Sequence, residues 1–264
     1  MTRYPLSLAL ALLAGLAVSA EPGAEPGAEP SAEPGAKSAA ASSIAPFSSG
    51  TIGQAPAAPW QIVTLPKLPQ HTRYTIAATD AGRALHAEAR ASYANLVHPL
   101  RADAALTPTL AWRWKVDRVP ARADLAAKAT DDLAAKLCVF FDLPPDRMSA
   151  GDRIKIRLGR ALYDPELPTA TLCYVWDRLL PVGTVLPNVY TDRVRFIVLR
   201  SAAAGQIGQW FDEKRDLRAD FARVFGREAE GGTPPITAVA LASDADNTGD
   251  SASAWFGDIR LERP

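Results

Sequence analysis

A period-two alternation of apolar and polar residues constrains the fold of this chain more than any other feature, because successive side chains of a β-strand point to opposite faces. In LAWRWKV the positions on one face are all apolar, namely Leu110, Trp112, Trp114 and Val116. Similar alternation, or a short apolar run bounded by turn residues, recurs in the segments 84–90, 136–142, 171–177, 193–200 and 236–243. These patterns predict a mainly β fold, a jelly-roll-like antiparallel β-sandwich.

Two segments have helical spacing instead. In SAGDRIKIRLGRALYD one helical face would carry Ile154, Leu158, Ala161 and Leu162. Ser149 followed by Asp152 is typical of a capping box at a helix start. Because Ile154, Ile156 and Leu158 also alternate, a strand is the alternative for this segment. In RDLRADFARVFG an apolar stripe precedes a glycine in the position of a C-terminal cap. We therefore expect one or two helices packed on the sandwich.

The N-terminal region has the features of an export signal followed by a linker. Residues 1–20 combine a basic start, an apolar run and a small-residue cleavage motif, which predicts a secretory signal peptide. Residues 21–44 repeat an E-P-G-A unit with almost no core-forming residue, which predicts a disordered Pro/Ala-rich linker. Residues 45–264 would then form a single β-sandwich domain, and we expect the protein to be periplasmic or secreted.

Charge and cysteine content exclude several classes of partner. The chain has 29 basic and 29 acidic residues, so its formal net charge of zero argues against nucleic acid or an anionic membrane as partner. The apolar run near the N-terminus is shorter than the about 20 residues of a membrane helix, so no membrane span is expected. Cys138 and Cys173 are too few for a metal cluster. In an oxidising compartment they either pair or remain free thiols.

The strand 110–116 offers two kinds of surface. Trp112 and Trp114 suggest a sugar-stacking platform at first, but their strand face is otherwise apolar, which favours packing in the core. Arg113 and Lys115 point to the other side. Together with His86, Glu88 and Arg90 of the segment 84–90, they are candidates for a polar ligand-binding face. The alternative is an ordinary solvated sheet face.

The end of the segment 171–177 is the strongest single candidate for a binding site. Trp176 and Asp177 end an apolar run, and the long loop that follows contains Asn188 and Tyr190. An aromatic ring can pack on the apolar face of a sugar, while carboxylate and amide groups bind its hydroxyls. The alternative is a structural tryptophan followed by a turn aspartate.

Paired carboxylates precede the segment 136–142. Asp131 and Asp132 lie in TDDLAAK, and paired carboxylates can perform acid and base chemistry. Adjacent residues of a strand point to opposite faces, however, so the two are not expected to serve one centre. A turn, or an ion pair with Lys136, is the favoured interpretation.

The stretch SDADNTGDSASAWFGDI begins like a calcium loop. Its first half matches the spacing of an EF-hand, but position twelve is Trp255, which cannot bind calcium. A simpler oxygen-ligand site for structural Ca²⁺ would use Asp244, Asp246, Asn247 and Asp258. A polar turn before a last strand is the favoured interpretation, since DNTG suits positive φ angles.

Catalytic signatures are absent from the sequence. There is no G-x-S-x-G and no H-E-x-x-H, and GDSAS lies near the end of the chain with no histidine after it. His71, His86 and His98 are not spaced as metal ligands on one element. Nucleophilic catalysis therefore has no support in the sequence, which favours a non-catalytic protein over an enzyme.

Six blocks of the sequence together resemble the bacterial domain-of-unknown-function family 3047. The blocks occur in order within 47–261, at 112–117, 130–142, 167–177, 187–201, 216–226 and 243–259. The resemblance implies an exported protein without an established activity, so it assigns no catalytic residues. The last block is also similar to the final strand of jelly-roll carbohydrate-binding modules, where F-x-D-[IV] follows a polar loop.

Three functional hypotheses follow. The first is an exported, non-catalytic domain that binds a glycan or another cell-envelope saccharide. The second is a saccharide-active enzyme of β-sandwich type, in which Asp131, Asp132 or Asp177 acts as acid or base. Such an enzyme needs two carboxyl groups across a cleft, about 5 to 9.5 Å apart. The third is a structural envelope domain that docks another protein, whose identity the sequence does not indicate.

Overall fold

The computed structural model describes residues 43–65, 68–162 and 166–264. The predicted signal peptide and all but the last two residues of the predicted linker lie outside these ranges. Within these ranges two β-sheets pack face to face, and two α-helices are present. The predicted mainly β sandwich is confirmed.

The larger sheet contains seven strands in the order β1-β4-β11-β6-β7-β9-β8. In chain order their bounds are β1 Gln61–Val63, β4 Asn95–Ala102, β6 Ala135–Phe141, β7 Ala170–Asp177, β8 Val185–Asn188, β9 Thr191–Ser201 and β11 Ile236–Ala242. One pairing departs from the predicted antiparallel pattern, since β7 and β9 are parallel. The chain reverses direction between β8 and β9, which form an antiparallel hairpin. Of these two strands it is β9 that lies next to β7, and β9 runs in the same direction as β7.

The second sheet contains six strands in the order β10-β5-β12-β3-β2, with β13 also paired to β5. Their bounds are β2 Arg73–Thr79, β3 Gly82–Arg90, β5 Thr109–Arg118, β10 Phe211–Asp216, β12 Ser251–Phe256 and β13 Arg260–Glu262. All pairings in this sheet are antiparallel.

The main core lies between the sheets and is rich in tryptophan. Trp112, Trp114 and Trp176 are 2 %, 0 % and 0 % exposed. Trp114 contacts Trp112 and Trp176 edge-on, with ring centroids 5.6 and 5.5 Å apart. The expectation that Trp112 and Trp114 face the core is confirmed.

Helix α1 spans Ala150–Leu162 and begins with the predicted cap, in which the Asp152 backbone N–H donates to Ser149 Oγ over 3.1 Å. The predicted buried stripe is wrong, because Ile154 and Leu158 are 68 % and 56 % exposed. The helix packs through Ile156 instead. Asp152, one turn before Ile156, lies on the same side of the helix and is 3.4 Å from the buried Arg193, so this face is the one that contacts the rest of the fold.

Helix α2 spans Leu217–Phe225 and follows the sequence prediction closely. Asp216 is its N-cap, and its side chain accepts from the backbone N–H groups of Arg218 and Ala219. Its apolar stripe is buried and consists of Leu217, Phe221, Val224 and Phe225. Gly226 ends the helix with a φ of 54°, a conformation that favours glycine.

Ile44, the last residue of the range predicted as linker, belongs to the hydrophobic core. Ile44 is 9 % exposed, and Phe47 stacks on Trp60 with ring centroids 4.8 Å apart. The Ala45 N–H donates to His98 Nε2 over 3.0 Å, and the Trp60 indole donates back to the Ala45 carbonyl over 2.9 Å. Ile44, which the sequence assigned to the linker, therefore packs with the core.

The outer faces of the two sheets differ in how they are covered. The loop 119–134 packs Leu125 and Leu133 over the larger sheet, where they bury the Cys138–Cys173 disulfide between β6 and β7. Every residue of β7 is buried, because this loop covers one face of the strand and the core between the sheets covers the other. The outer face of the smaller sheet keeps an alternation of buried and partly exposed residues along β3 and β12. This open face presents the candidate site.

Candidate functional site

A row of four residues crosses the open face of the smaller sheet. Strand register places Lys115 of β5 opposite Trp255 of β12, Trp255 opposite His86 of β3, and His86 opposite Thr75 of β2. All four side chains are partly exposed. Each strand points alternate side chains away from the core. Residues that lie opposite one another on neighbouring strands therefore form a row on the outer face of the sheet.

Hydrogen bonds and ring contacts hold Trp255 at the centre of this row. The indole stacks on His86 with ring centroids 4.0 Å apart and an interplanar angle of 14°. Its Nε1 donates to Asp117 Oδ2 over 2.7 Å, and Asp117 Oδ1 lies 3.0 Å from Lys115 Nζ. Trp255 is therefore held in place by contacts from both neighbouring strands, and its side chain remains partly exposed.

A second tryptophan extends the row toward the edge of the sheet. Trp210 immediately precedes β10, whose first residue Phe211 lies opposite Trp114. Lys115 Nζ lies 5.2 Å from the centroid of the Trp255 ring and 5.9 Å from that of Trp210. The ammonium group is therefore flanked by two partly exposed indoles, an arrangement stabilised by cation–π attraction.

Arg113 packs on the same Trp210 ring. Its guanidinium carbon lies 4.4 Å from the ring centroid. Its aliphatic stem crosses Gly257, where an added Cβ would come within 2.4 Å of Arg113 Cγ. Real Cβ atoms do not approach so closely, so a glycine is needed at position 257 for the arginine to lie in this position.

Two depressions adjoin the row on the side of His86. The larger has a volume of about 590 Å³, and the residues that line it include Glu88, Arg90, Arg118 and Ser253. His86 Nε2 and Ser253 Oγ are 3.0 Å apart, which links this depression to the row. The second, of about 520 Å³, shares Glu88 and Arg90 and extends to Arg73. Together with Arg113, Lys115, Trp210 and Trp255, these surfaces form what we call the tryptophan face.

His86 is kept neutral near pH 7. Burial lowers the pKa of the His86 imidazole below its ordinary value, although the carboxylates of Glu88 and Asp117 act in the opposite direction. A neutral imidazole can both donate and accept a hydrogen bond, so it suits a hydroxyl-rich ligand.

The sequence predicted the polar residues of the tryptophan face but not its aromatic centre. Arg113 and Lys115 are brought together there with His86, Glu88 and Arg90, as the alternation of β3 and β5 predicted. Trp210, Trp255 and Gly257 were not recognised as candidates for ligand binding. The available signal was weak, because the SASAWFGD segment places large aromatic residues on both strand faces.

The candidate site at the end of β7 is not built as expected. Trp176 is fully buried and contacts Trp114 and Phe211, so the predicted stacking of a sugar on its ring is wrong. Asp177 is also buried, and its Oδ1 accepts from the backbone N–H groups of Leu179 and Leu180. This carboxylate therefore serves as a turn cap.

Asn188 and Tyr190 lie at the β8–β9 turn and contact the loop 119–134 instead. The Asn188 amide donates to Asp131 Oδ2 over 3.2 Å, and the Tyr190 hydroxyl donates to the Lys128 carbonyl over 3.0 Å. Asn188 is buried, whereas Tyr190 remains partly exposed. The two residues anchor the loop that covers the larger sheet.

Asp132 and Asp244 have structural partners. Asp132 Oδ2 accepts from the N–H and hydroxyl of Thr248 over 2.8 and 2.5 Å, and Oδ1 accepts from the Asn247 N–H over 3.1 Å. Asp244 Oδ2 binds Lys136 Nζ over 2.8 Å. Burial opposes the charge of Lys136, but the Asp244 carboxylate outweighs it and keeps the lysine pKa above its ordinary value.

The negative charges of Asp131 and Asp246 are less well compensated by neighbouring groups. Burial raises the pKa of Asp131 to about 7, with a contribution from Asp244 that the attraction of Lys136 opposes. Burial, together with Asp244 and Asp132, raises the pKa of Asp246 to about 6. These two carboxyl groups are partly exposed, so they can exchange protons with solvent.

The four predicted calcium ligands do not come together. Asp258 accepts from the backbone N–H and hydroxyl of Ser48 over 2.9 and 2.6 Å, and Asp244 is paired with Lys136. Within the described ranges, no group of three or more His, Cys, Asp or Glu side chains is arranged to hold a metal ion. Asp246 and Asn247 occupy the turn that leads into β12, as the favoured interpretation predicted.

Neither α1 nor α2, the helices of the part of the chain described here, has the length and apolar composition for a membrane span.

Comparison with known proteins identifies a family but no activity. Residues 58–260 match the family model described as "Protein of unknown function (DUF3047)". No curated relative matches the sequence at a significant level.

Two solved structures show distant likeness to the chain. The Endo-D glycoside hydrolase domain from Streptococcus pneumoniae R6 is 11 % identical with a TM-score of 0.36, and the match covers 77 % of this chain and 21 % of that one. A cellulose-induced protein, Cip1, is 11 % identical with a TM-score of 0.31, and the match covers 76 % and 89 %. The chain thus spans about a fifth of the Endo-D domain. At these values neither likeness carries an argument about function.

Proposed function

From the premise that this chain belongs to the DUF3047 family of proteins of unknown function, we propose that it is an exported, non-catalytic domain that binds a saccharide on its tryptophan face. The proposal includes cleavage of the predicted signal peptide and a periplasmic or secreted location. It moves the binding site from the end of β7, where the sequence placed it, to the open face of the smaller sheet.

One observation carries the proposal. Trp210 and Trp255 are partly exposed on one open sheet face, and Lys115 lies between their rings. Indole rings pack on the C–H face of a sugar, and polar groups at their edges bind its hydroxyls. His86, Ser253 and Glu88 supply such groups beside Trp255.

The test is affinity electrophoresis of residues 44–264, the described fold, in gels that contain neutral and acidic polysaccharides. We expect retardation by at least one polysaccharide and at least a tenfold loss of affinity for Trp255→Ala, since truncation of an aromatic anchor commonly costs about 2 kcal/mol and a tenfold loss corresponds to about 1.4 kcal/mol. Tyr190→Ala is the matched control, because it removes a partly exposed aromatic ring from the other sheet.

The outcomes separate the two candidate surfaces. Loss of binding in Tyr190→Ala with binding retained in Trp255→Ala would return the site to the β8–β9 turn. Absence of retardation in every gel would contradict saccharide binding altogether. Export is tested separately, by N-terminal sequencing of the full chain expressed in a bacterium, where a mature start after Ala20 is expected.

A second candidate function, hydrolysis of a saccharide, is favoured by the raised pKa values of Asp131 and Asp246. A general acid works best with a pKa near the working pH, and that of Asp131 is about 7. Asp246 has a pKa of about 6. If the protein hydrolyses a saccharide, release of reducing sugar should be abolished in Asp131→Asn and retained in Trp255→Ala. No release by the wild type would exclude this alternative for the substrates used.

A further inference from the structure

The strongest unexplained group on the tryptophan face is the Arg113 guanidinium. Resting on the function proposed above, we propose that the bound saccharide is acidic, and that Arg113 binds a sugar carboxylate beside Trp210. The ligand class is therefore a uronic-acid-containing glycan, with Trp255 contacting the sugar ring and Arg113 its negative charge.

Arg113 has no anionic partner among the described residues. No carboxylate lies within ion-pair distance of its guanidinium, although Asp212 is directly opposite on β10. Its Nε is buried and has no hydrogen-bond acceptor. The neighbouring cations differ, since Lys115 pairs with Asp117 at 3.0 Å and Arg200 with Glu213 at 2.6 Å. A guanidinium charge without a carboxylate partner can be stabilised by a carboxylate, so an anionic group supplied by a ligand would be favourable here.

The guanidinium is held in place before any ligand binds. Its stem lies across Gly257, and its carbon lies 4.4 Å from the centroid of the Trp210 ring. A cation above a ring still presents its N–H donors at its edge, where a carboxylate can be bound by two parallel hydrogen bonds. Because the side chain is already ordered, binding loses little conformational entropy.

The adjoining depressions add positive charge along the face. Arg118 donates to Ser251 Oγ over 3.2 Å and has no carboxylate partner within ion-pair distance among the described residues. The two acidic groups nearby are occupied: Glu88 pairs with Arg73, and Asp250 accepts from the backbone N–H groups of Ala121 and Ser251. A chain of acidic sugars would therefore meet one further cation without a carboxylate partner, Arg118, which favours its accumulation on this face.

The experiment compares acidic polysaccharides with their own neutral derivatives. Polygalacturonate, alginate and hyaluronate are each used before and after reduction of the carboxyl groups, at low salt, with wild type, Arg113→Gln and Lys155→Gln. We expect at least one acidic polymer to bind about tenfold or more tightly than its reduced form. Arg113→Gln should bring that ratio close to one. Lys155→Gln removes the same charge from an 81 % exposed side chain on α1 and should leave the ratio unchanged.

Each outcome decides between the inference and the function on which it rests. Equal binding of acidic and reduced polymers that is lost in Trp255→Ala would overturn acidic recognition and leave saccharide binding in place. A preference for acidic polymers that persists in Arg113→Gln would overturn the role of Arg113. Binding to none of the six polymers by the folded wild type would contradict both. Melting curves of the variants confirm that each is folded.

Discussion

His86 stacks on Trp255 with ring centroids 4.0 Å apart, and its Nε2 lies 3.0 Å from Ser253 Oγ. This pair forms the centre of the open face, because it joins the aromatic row to the larger depression. The stacking partner of the tryptophan is a titratable ring, so acidity should affect the site as well as the stability of the fold.

The first prediction concerns the protonation of His86. Because burial lowers the pKa of His86 below 6.5, the unfolded state binds a proton more readily. The stability contributed by the neutral His86 imidazole is therefore fully present above about pH 6.5 and is lost as pH falls through the folded-state pKa. His86→Phe keeps a ring on Trp255 without titrating, so it should lose less stability between pH 7.5 and pH 5 than the wild type. Urea unfolding at both pH values measures the difference.

A remaining pH dependence is expected in His86→Phe, because the pKa of His98 is lowered by burial as well. The same loss of stability in wild type and His86→Phe would show that the His86 ring does not resist protonation.

The second prediction separates core from surface tryptophans. Trp114 is fully buried among other aromatic rings, so Trp114→Ala should lower the free energy of unfolding by about 3 to 5 kcal/mol. Trp255→Ala removes a partly exposed ring and should cost clearly less. Denaturant unfolding of the two variants side by side makes the comparison. If Trp114→Ala unfolds like the wild type, the facing of β5 is wrong.

The third prediction concerns the carboxyl group of Asp131. Its pKa of about 7 lies above its ordinary value, so ionisation destabilises the fold progressively as pH rises from about 4 to 7. Asp131→Asn should therefore be more stable than the wild type at pH 8, by on the order of 2 kcal/mol after allowance for solvent screening. The advantage should vanish near pH 4, as thermal or urea unfolding will show.

Asp132→Asn is the matched control for this prediction. Asp132 accepts three hydrogen bonds from Asn247 and Thr248, so the amide should destabilise the fold by about 1 to 3 kcal/mol at pH 8. Stabilisation by both substitutions would contradict the distinction between the two neighbouring carboxylates.

The fourth prediction concerns Cys138 and Cys173, which face each other in the β6–β7 register and form a disulfide. Thiol titration of denatured, non-reduced protein should find no free thiol. The bond closes a loop with a sequence separation of 35, so reduction should lower stability by about 3 to 4 kcal/mol on the chain-entropy account. Detection of two thiols would show that the bond does not form in the protein as prepared.

The fifth prediction concerns calcium. Asp258 is held by Ser48 and Asp244 by Lys136, so the oxygen ligands proposed from the sequence are separated or occupied. Melting curves in millimolar calcium and in EDTA should coincide. A calcium-dependent rise that Asp246→Ala abolishes would instead establish a metal site, since a ligand at a hundredfold excess over Kd adds about 2.7 kcal/mol.

Local sequence determined the elements of this fold and several of their boundaries. Alternation in LAWRWKV placed Trp112 and Trp114 in the core, and the Ser149–Asp152 pair and Gly226 marked helix ends correctly. These features depend on neighbours within a few residues, so they can be read without knowing the tertiary fold. The sandwich was predictable because the residues on one face of a strand are buried together, which leaves a period-two pattern in the sequence.

Only the tertiary structure decided which surfaces remain open. Trp176 and Trp255 both lie in strands with aromatic neighbours, yet one is fully buried and the other partly exposed. The difference arises because Trp176 points into the space between the sheets, whereas Trp255 lies on the outer face of the smaller sheet, where β3 and β12 alternate buried and partly exposed residues. In α1 likewise, the expected apolar stripe faces the solvent, and the opposite side of the helix contacts the distant Arg193 through Asp152. Such outcomes depend on residues far apart in sequence, and no local pattern encodes which of two faces a distant segment will cover.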